Sequence, residues 1–101
     1  MKTTAVAVLL LLSSSAWGLE GTPLALGETL FEATSLGTNQ KSCASCHPGG
    51  EGLDEIAVYD DDQLKEMINF CIRDALKGEM MPLESQEIEA MFLYLRHSSL
   101  P

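Results

Sequence analysis

The sequence predicts a small all-α domain with three main helices. Apolar residues recur at intervals of three or four in three separate segments, which is the period of a helix that buries one side. Residues that begin or end helices, among them Asp60, Gly78 and Ser85, stand at the boundaries of these segments. No run of alternating β-branched residues, which would indicate a strand, precedes Cys43.

The first helix is predicted over residues 27–35, where Leu26, Leu30 and Phe31 have helical spacing. Gly37 is expected to end this helix, because glycine is a weak helix former. Further along the chain, residues 48–52 contain one proline and three glycines and predict a loop.

The second helix is predicted to begin at three successive aspartates, residues 60–62, whose carboxylates suit the positive end of a helix. Gly78 is expected to end this helix as its C-terminal cap. Its predicted apolar stripe contains Leu64, Met67, Ile68, Cys71, Ala75 and Leu76.

The last helix is predicted to follow Ser85, a good N-cap residue, with acidic side chains at Glu87 and Glu89 near its start. Met67 and Met91 are interpreted as core residues, the usual role of methionine in a small helical domain. The sequence shows neither internal repeats nor a second domain. The apolar face of this helix contains Ile88, Met91, Phe92 and Leu95.

The most specific motif is Cys43-Ala44-Ser45-Cys46-His47. Two thiols at this spacing can each add to one vinyl group of a porphyrin, and the histidine that follows is then held beneath the iron. The motif predicts covalent attachment of one haem c through Cys43 and Cys46, with His47 as an axial iron ligand.

Two other interpretations of the motif are weaker. A thioredoxin-like redox pair needs a βαβ context, which the sequence does not predict. A zinc site needs two more ligands at finger-like spacing, and the remaining Cys71 and His97 are not suitably paired. His97 is instead interpreted as a cation that suits the C-terminal end of the last helix.

The N-terminus predicts export from the cytoplasm. A lysine at position 2 precedes an apolar run over residues 5–12, and small residues at Ala16 and Gly18 suit cleavage before Leu19. The run is too short to span a bilayer, so we expect no stable membrane insertion. Residues 1–18 are interpreted as a signal peptide and residues 19–101 as one periplasmic domain.

The charge of the chain is strongly acidic, with fifteen acidic residues against six basic ones and a net charge of −9. This charge argues against nucleic acid as a partner and favours steering toward a protein with a basic docking face. A domain of this size buries a modest core, and a covalently bound haem would extend that core.

The order of helix, C-x-x-C-H motif, loop, helix, methionine-containing loop and terminal helix resembles the class I cytochromes c over nearly all of residues 19–101. The resemblance implies three main helices around one covalent haem. It also implies that the first and last helices cross, so that Leu30 and Phe31 would meet Met91, Phe92 and Leu95 near Tyr94.

The resemblance implies that a methionine thioether from the loop before the last helix is the second axial ligand, often with proline after it. Met80-Met81-Pro82 occupies that place. Met81 is favoured over Met80 because the proline that directly follows it would stiffen the loop.

Cys71 is an alternative ligand. The segment from Ile68 to Arg73 resembles the haem domains of thiosulfate-oxidising cytochromes, in which a cysteine of the corresponding helix ligates the iron. Two other interpretations of Cys71 stay open: a small buried residue of the apolar stripe, and a partner in an intermolecular disulfide.

These observations predict a periplasmic electron carrier that is not an enzyme. Cys43, Cys46, His47 and Met81 are its predicted haem-binding residues, and His47 and Met81 its iron ligands. The alternatives are a haem subunit of a thiosulfate-oxidising or sulfur-oxidising enzyme, with Cys71 at the iron, and a haem sensor that binds a small gas.

Overall fold

The computed structural model describes residues 22–98, so the predicted signal peptide lies outside the described residues. Within this range the chain is helical and contains no strand, which confirms the predicted all-α class. The helices are α1 (Pro23–Glu32), α2 (Cys43–Cys46), α3 (Asp61–Asp74) and α4 (Gln86–Ser98), with 3₁₀ segments at Pro48–Gly50 and Asp54–Val58.

Helix α1 begins four residues before the predicted start and ends before the predicted end. The Thr22 side chain accepts a hydrogen bond of 3.1 Å from the Ala25 N–H, and Pro23 occupies the first turn. Threonine caps the free N–H groups of a first turn and proline suits that turn, so this pair starts the helix. The prediction missed the pair because it considered only the apolar spacing.

Helices α1 and α4 cross at Gly27, in the middle of α1. A Cβ atom at this position would overlap the Ala90 carbonyl and would lie 2.6 Å from the Tyr94 Cβ. The Phe31 and Tyr94 rings pack with their centroids 5.4 Å apart. The first and last helices therefore meet, as the resemblance implied, and a residue without a side chain permits the close approach.

Helix α3 begins as predicted. The Asp60 carboxylate accepts from the Gln63 N–H at 2.8 Å, and the Gln63 side chain accepts from the Asp60 N–H at 3.1 Å. This reciprocal pair is a capping box. The last α-helical residue is Asp74 and the C-cap is Ala75, so the prediction that Gly78 caps this helix was wrong. The residue with a positive φ in this segment is Lys77, with φ of 60°.

The apolar stripe of α3 differs from the predicted one. The buried side chains are Leu64, Ile68 and Ile72, with Leu76 just after the helix. Met67 is 38% exposed, so its interpretation as a core residue was wrong. Cys71 is also exposed, which contradicts one of its three interpretations, that of a small buried residue. Both belong to the edge of the stripe, where α3 faces a cavity instead of another helix.

Helix α4 agrees with its prediction. The Ile88 N–H donates to the Ser85 hydroxyl at 3.2 Å, and Met91 is buried as expected. Lys65 on α3 forms an ion pair of 2.7 Å with Glu89 on α4. In the part of the chain that the structure describes, no helix is both long and apolar enough to cross a membrane. The buried residues of α4 are Ile88, Ala90, Met91, Phe92 and Leu95.

Candidate functional site

The two motif cysteines lie at the ends of the four-residue helix α2, which the sequence analysis did not predict. The buried Ser42 accepts from the Ser45 N–H at 3.1 Å, and the Ser45 hydroxyl accepts from the Ser42 N–H at 2.9 Å. This capping box closes one helical turn, so Cys43 and Cys46 lie on neighbouring positions of the same side. The spacing of the two serines was a signal for this turn.

His47 follows directly and has a fixed ring orientation. Its backbone N–H donates to the Cys43 carbonyl at 3.0 Å, and its Nδ1 lies 2.8 Å from the Glu51 carbonyl oxygen. In the neutral ring, Nδ1–H is the donor of this hydrogen bond, so the Nε2 lone pair is the one left for a metal. The loop that supplies Glu51 contains three glycines with positive φ, as the predicted loop requires.

A cavity opens beside the motif. Part of its empty space is continuous with solvent. Cys43, Cys46 and His47 all line it. The apolar side chains that form most of its wall are Phe31, Leu53, Ile56, Tyr59, Leu64, Met67, Ile68, Leu76, Met91 and Leu95.

Helix α3 presents two sulfur side chains, Met67 and Cys71, to the same cavity. The three cysteines of the chain therefore line one site, and all are free thiols. Burial raises the pKa of Cys43 to about 11. The pKa of Cys71 is also raised, because the cavity wall removes its thiol from part of the solvent and the Asp74 carboxylate is nearby. Both thiols are therefore protonated at neutral pH.

The predicted ligand Met81 lies elsewhere. Within residues 22–98, the cavity wall includes neither Met80 nor Met81. The Met81 side chain is partly buried against the hydrophobic core, and its backbone is hydrogen-bonded to the side chain of Asn69. Met80 is 46% exposed, and its sulfur lies 4.0 Å from a guanidinium nitrogen of Arg73.

Asn69 is a residue that the sequence analysis missed. It is one of the two buried polar residues of the described chain, with 5% exposure, and the other is Ser42. The available signal was a polar side chain between apolar residues of α3, since a buried amide needs hydrogen-bond partners from another part of the chain.

The donor set suits a haem attached through thioethers. The wall is mostly apolar, as a porphyrin face requires, the two thiols have the required spacing, and one imidazole nitrogen is free for the iron. A porphyrin supplies the equatorial ligands itself, so the protein needs only axial donors. Among residues 22–98, no three His, Cys, Asp or Glu side chains are grouped so that they could hold a metal ion without a porphyrin.

Comparisons of the chain with protein-family models, with curated proteins and with solved structures gave no match.

Proposed function

We propose that this protein is a small c-type cytochrome that carries single electrons through one covalently attached haem c. The observation that carries the proposal is that Cys43, Cys46 and His47 all line one cavity with a mostly apolar wall. The crossing of α1 and α4 at Gly27 is also the packing expected for a class I cytochrome c.

Each motif residue has a separate role in this proposal. Cys43 and Cys46 would hold the porphyrin by thioether bonds, which keep the haem in place in both oxidation states. His47 would donate Nε2 to the iron, and its Nδ1 hydrogen bond to the Glu51 carbonyl fixes the ring and increases its basicity. The haem supplies a reversible change of one electron at the iron.

The apolar wall has a role in tuning that electron transfer. Buried side chains from α3 and α4, such as Ile68, Met91 and Leu95, would exclude water from the haem. Exclusion of water and the identity of the axial ligands are the means by which a protein sets the potential of its haem.

The partner proposed for this carrier is a redox protein with a basic docking face. The net charge of −9 produces a negative field around the molecule, which would attract such a face from a distance. We also propose that the carrier works in the periplasm after removal of residues 1–18, because haem c is attached after export in bacteria.

The experiment is a redox titration of the full chain, produced with a haem c maturation system. We expect the haem spectrum to change reversibly with the applied potential, as a one-electron titration curve. The reduced protein should also give its electron quickly to a small-molecule one-electron oxidant. A haem that cannot be cycled between two oxidation states would contradict the electron-carrier proposal.

A second candidate function is that of a haem subunit that oxidises thiosulfate. The observation in its favour is that Cys71 lines the cavity, whereas Met81 does not. A cysteine at the iron is the arrangement expected in the thiosulfate-oxidising group. Reduction of the ferric protein by thiosulfate, lost in Cys71→Ser, would favour this function over that of a simple carrier.

A further inference from the structure

Asn69 uses both ends of its amide to bind the backbone of a single residue. Its Nδ2 donates to the Met81 carbonyl at 2.7 Å, and its Oδ1 accepts from the Met81 N–H at 2.8 Å. The Asn69 side chain is buried, so release of Met81 would leave the amide of Asn69 without these partners in a region that water reaches poorly. The chain segment with Met80 and Met81 is therefore tethered to α3.

The tether lies on the side of α3 away from the cavity. An α-helix turns by about 100° per residue. The residue two positions before and the residue two positions after a given residue therefore both lie about 160° away from it around the helix axis. Asn69 has this relation to both Met67 and Cys71, which face the cavity. The Met81 backbone is therefore bound nearly opposite to the two sulfur side chains that line the site.

Met80 has a further contact on this outer side. Its sulfur approaches the guanidinium group of Arg73, which lies one helical turn after Asn69. Arg73 does not line the cavity but lies over the ring of the exposed Phe70. The two residues of α3 that contact this segment, Asn69 and Arg73, thus both lie outside the cavity wall.

We infer that Asn69 is a positioning residue that holds Met81 out of the sixth coordination position of the haem iron and leaves that position to α3. This inference rests on the proposed haem site and specifies which residues supply the second iron ligand. It differs from the resemblance to class I cytochromes c, which implies that Met81 is that ligand. Cys71 and Met67 are the sulfur donors of α3 in the cavity.

The test uses the optical spectrum of the ferric holoprotein in a Cys71→Ser background, in which the thiol cannot compete. A methionine–ferric bond gives a weak far-red band. With Asn69 present, we expect no band that depends on Met81. Asn69→Leu in the same background should release the segment and produce the band, and Met81→Leu should then abolish it.

Three control variants separate the alternatives. Asn69→Asp keeps the acceptor for the Met81 N–H but loses the donor for the Met81 carbonyl, so it should give a band of intermediate strength. Met80→Leu in the released protein should leave the band in place. A far-red band in Cys71→Ser that Met67→Leu abolishes would support ligation from α3.

A Met81-dependent band in wild-type protein, or in Cys71→Ser with Asn69 intact, would overturn the inference. The absence of covalent haem would instead overturn the proposed function.

Hydrogen exchange in the haem-bound protein tests the tether itself. The Met81 amide should exchange at least about tenfold faster in Asn69→Leu than in wild type, because its acceptor is lost. The amide of Ile88, which donates to Ser85, is the control and should be unaffected. Equal Met81 exchange rates in the two folded proteins would show that Asn69 does not restrain the segment.

Discussion

Single side chains hold the wall of the cavity in place through backbone carbonyls. The Arg96 guanidinium on α4 donates to the Ile56 carbonyl at 2.8 Å and to the Tyr59 carbonyl at 2.6 Å, and it also lies 3.2 Å from the Asp61 carboxylate. Ile56 and Tyr59 both line the cavity. Arg96 therefore restrains the cavity wall on one side of the site. On another side, the Glu51 carbonyl restrains the ring of His47.

Replacement of Arg96 by lysine should weaken this side of the wall. A lysine keeps the charge but cannot span two carbonyls with a planar group, so we expect a loss of about 1–3 kcal/mol in the free energy of unfolding. Chemical denaturation of the holoprotein measures this loss. Arg73→Lys is the control and should change little, because Arg73 pairs with Asp74 at the exposed surface. Equal losses in the two variants would contradict the role given to Arg96.

At the scale of helices, the sequence predicted α3 and α4 well because their N-caps, Asp60 and Ser85, act on their own first turns. Local hydrogen bonds of this kind can be predicted from the identities of a few neighbouring residues. The start of α1 was equally local but was missed, because the cap at Thr22 was not considered. Met67 and Cys71 were misplaced for a different reason: helical spacing gives the side of a helix but not whether a neighbour or a cavity lies beside it.

The contact between Asn69 and Met81 could not be predicted at this scale. The two residues are twelve positions apart, and their pairing depends on how the segment after α3 folds back along it. The motif Cys43-Ala44-Ser45-Cys46-His47 identified one end of the candidate site, whereas the wall across the cavity depends on tertiary packing. The ligand assigned to Met81 from the resemblance remains a prediction.

The crossing of α1 and α4 gives a prediction in which helix propensity and packing oppose each other. Gly27→Ala would favour the isolated helix by about 1 kcal/mol. In the folded protein the new methyl group would collide with the Ala90 carbonyl, and overpacking of this kind costs about 1–3 kcal/mol. We expect a net loss of stability in thermal unfolding. Thr29→Ala, at an exposed position of α1, is the control and should be neutral or slightly stabilising. A stabilised Gly27→Ala protein would contradict the close crossing.

At the scale of the whole molecule, the apolar residues surround a space that the polypeptide does not fill. The core residues Ile56, Leu64 and Ile68 each have one side at the cavity. A small domain has few other apolar contacts to compensate for such a space. The proposed haem would therefore have two functions, as the redox centre and as part of the core.

Haem removal should then destabilise the fold. We expect a chain produced without haem to show weak helical circular dichroism and broad thermal unfolding, whereas the haem-bound chain should unfold cooperatively. A haem-free chain as stable and helical as the haem-bound one would show that the polypeptide fills its core without the cofactor.

The acidic charge predicts how the molecule reacts with a basic redox protein. Charges more than about 10 Å apart are screened at 0.1 M salt, so electron transfer to such a partner should slow steeply as salt rises. Stopped-flow kinetics over a tenfold range of ionic strength measures this dependence. An uncharged small-molecule oxidant is the control and should show little change. A rate with the basic protein that is independent of salt would limit the role of the acidic residues to solubility.

The covalent bond between the haem and the chain is the most direct test of the account. The full chain, produced with a haem c maturation system, should keep its haem under denaturing electrophoresis, and its intact mass should exceed that of the processed polypeptide by one haem. Cys43→Ala and Cys46→Ala should each give poor yields with a single linkage, while Cys71→Ser should keep both linkages. Full-length protein whose haem extracts freely into acid acetone, or which acquires no haem under these conditions, would contradict the central claim.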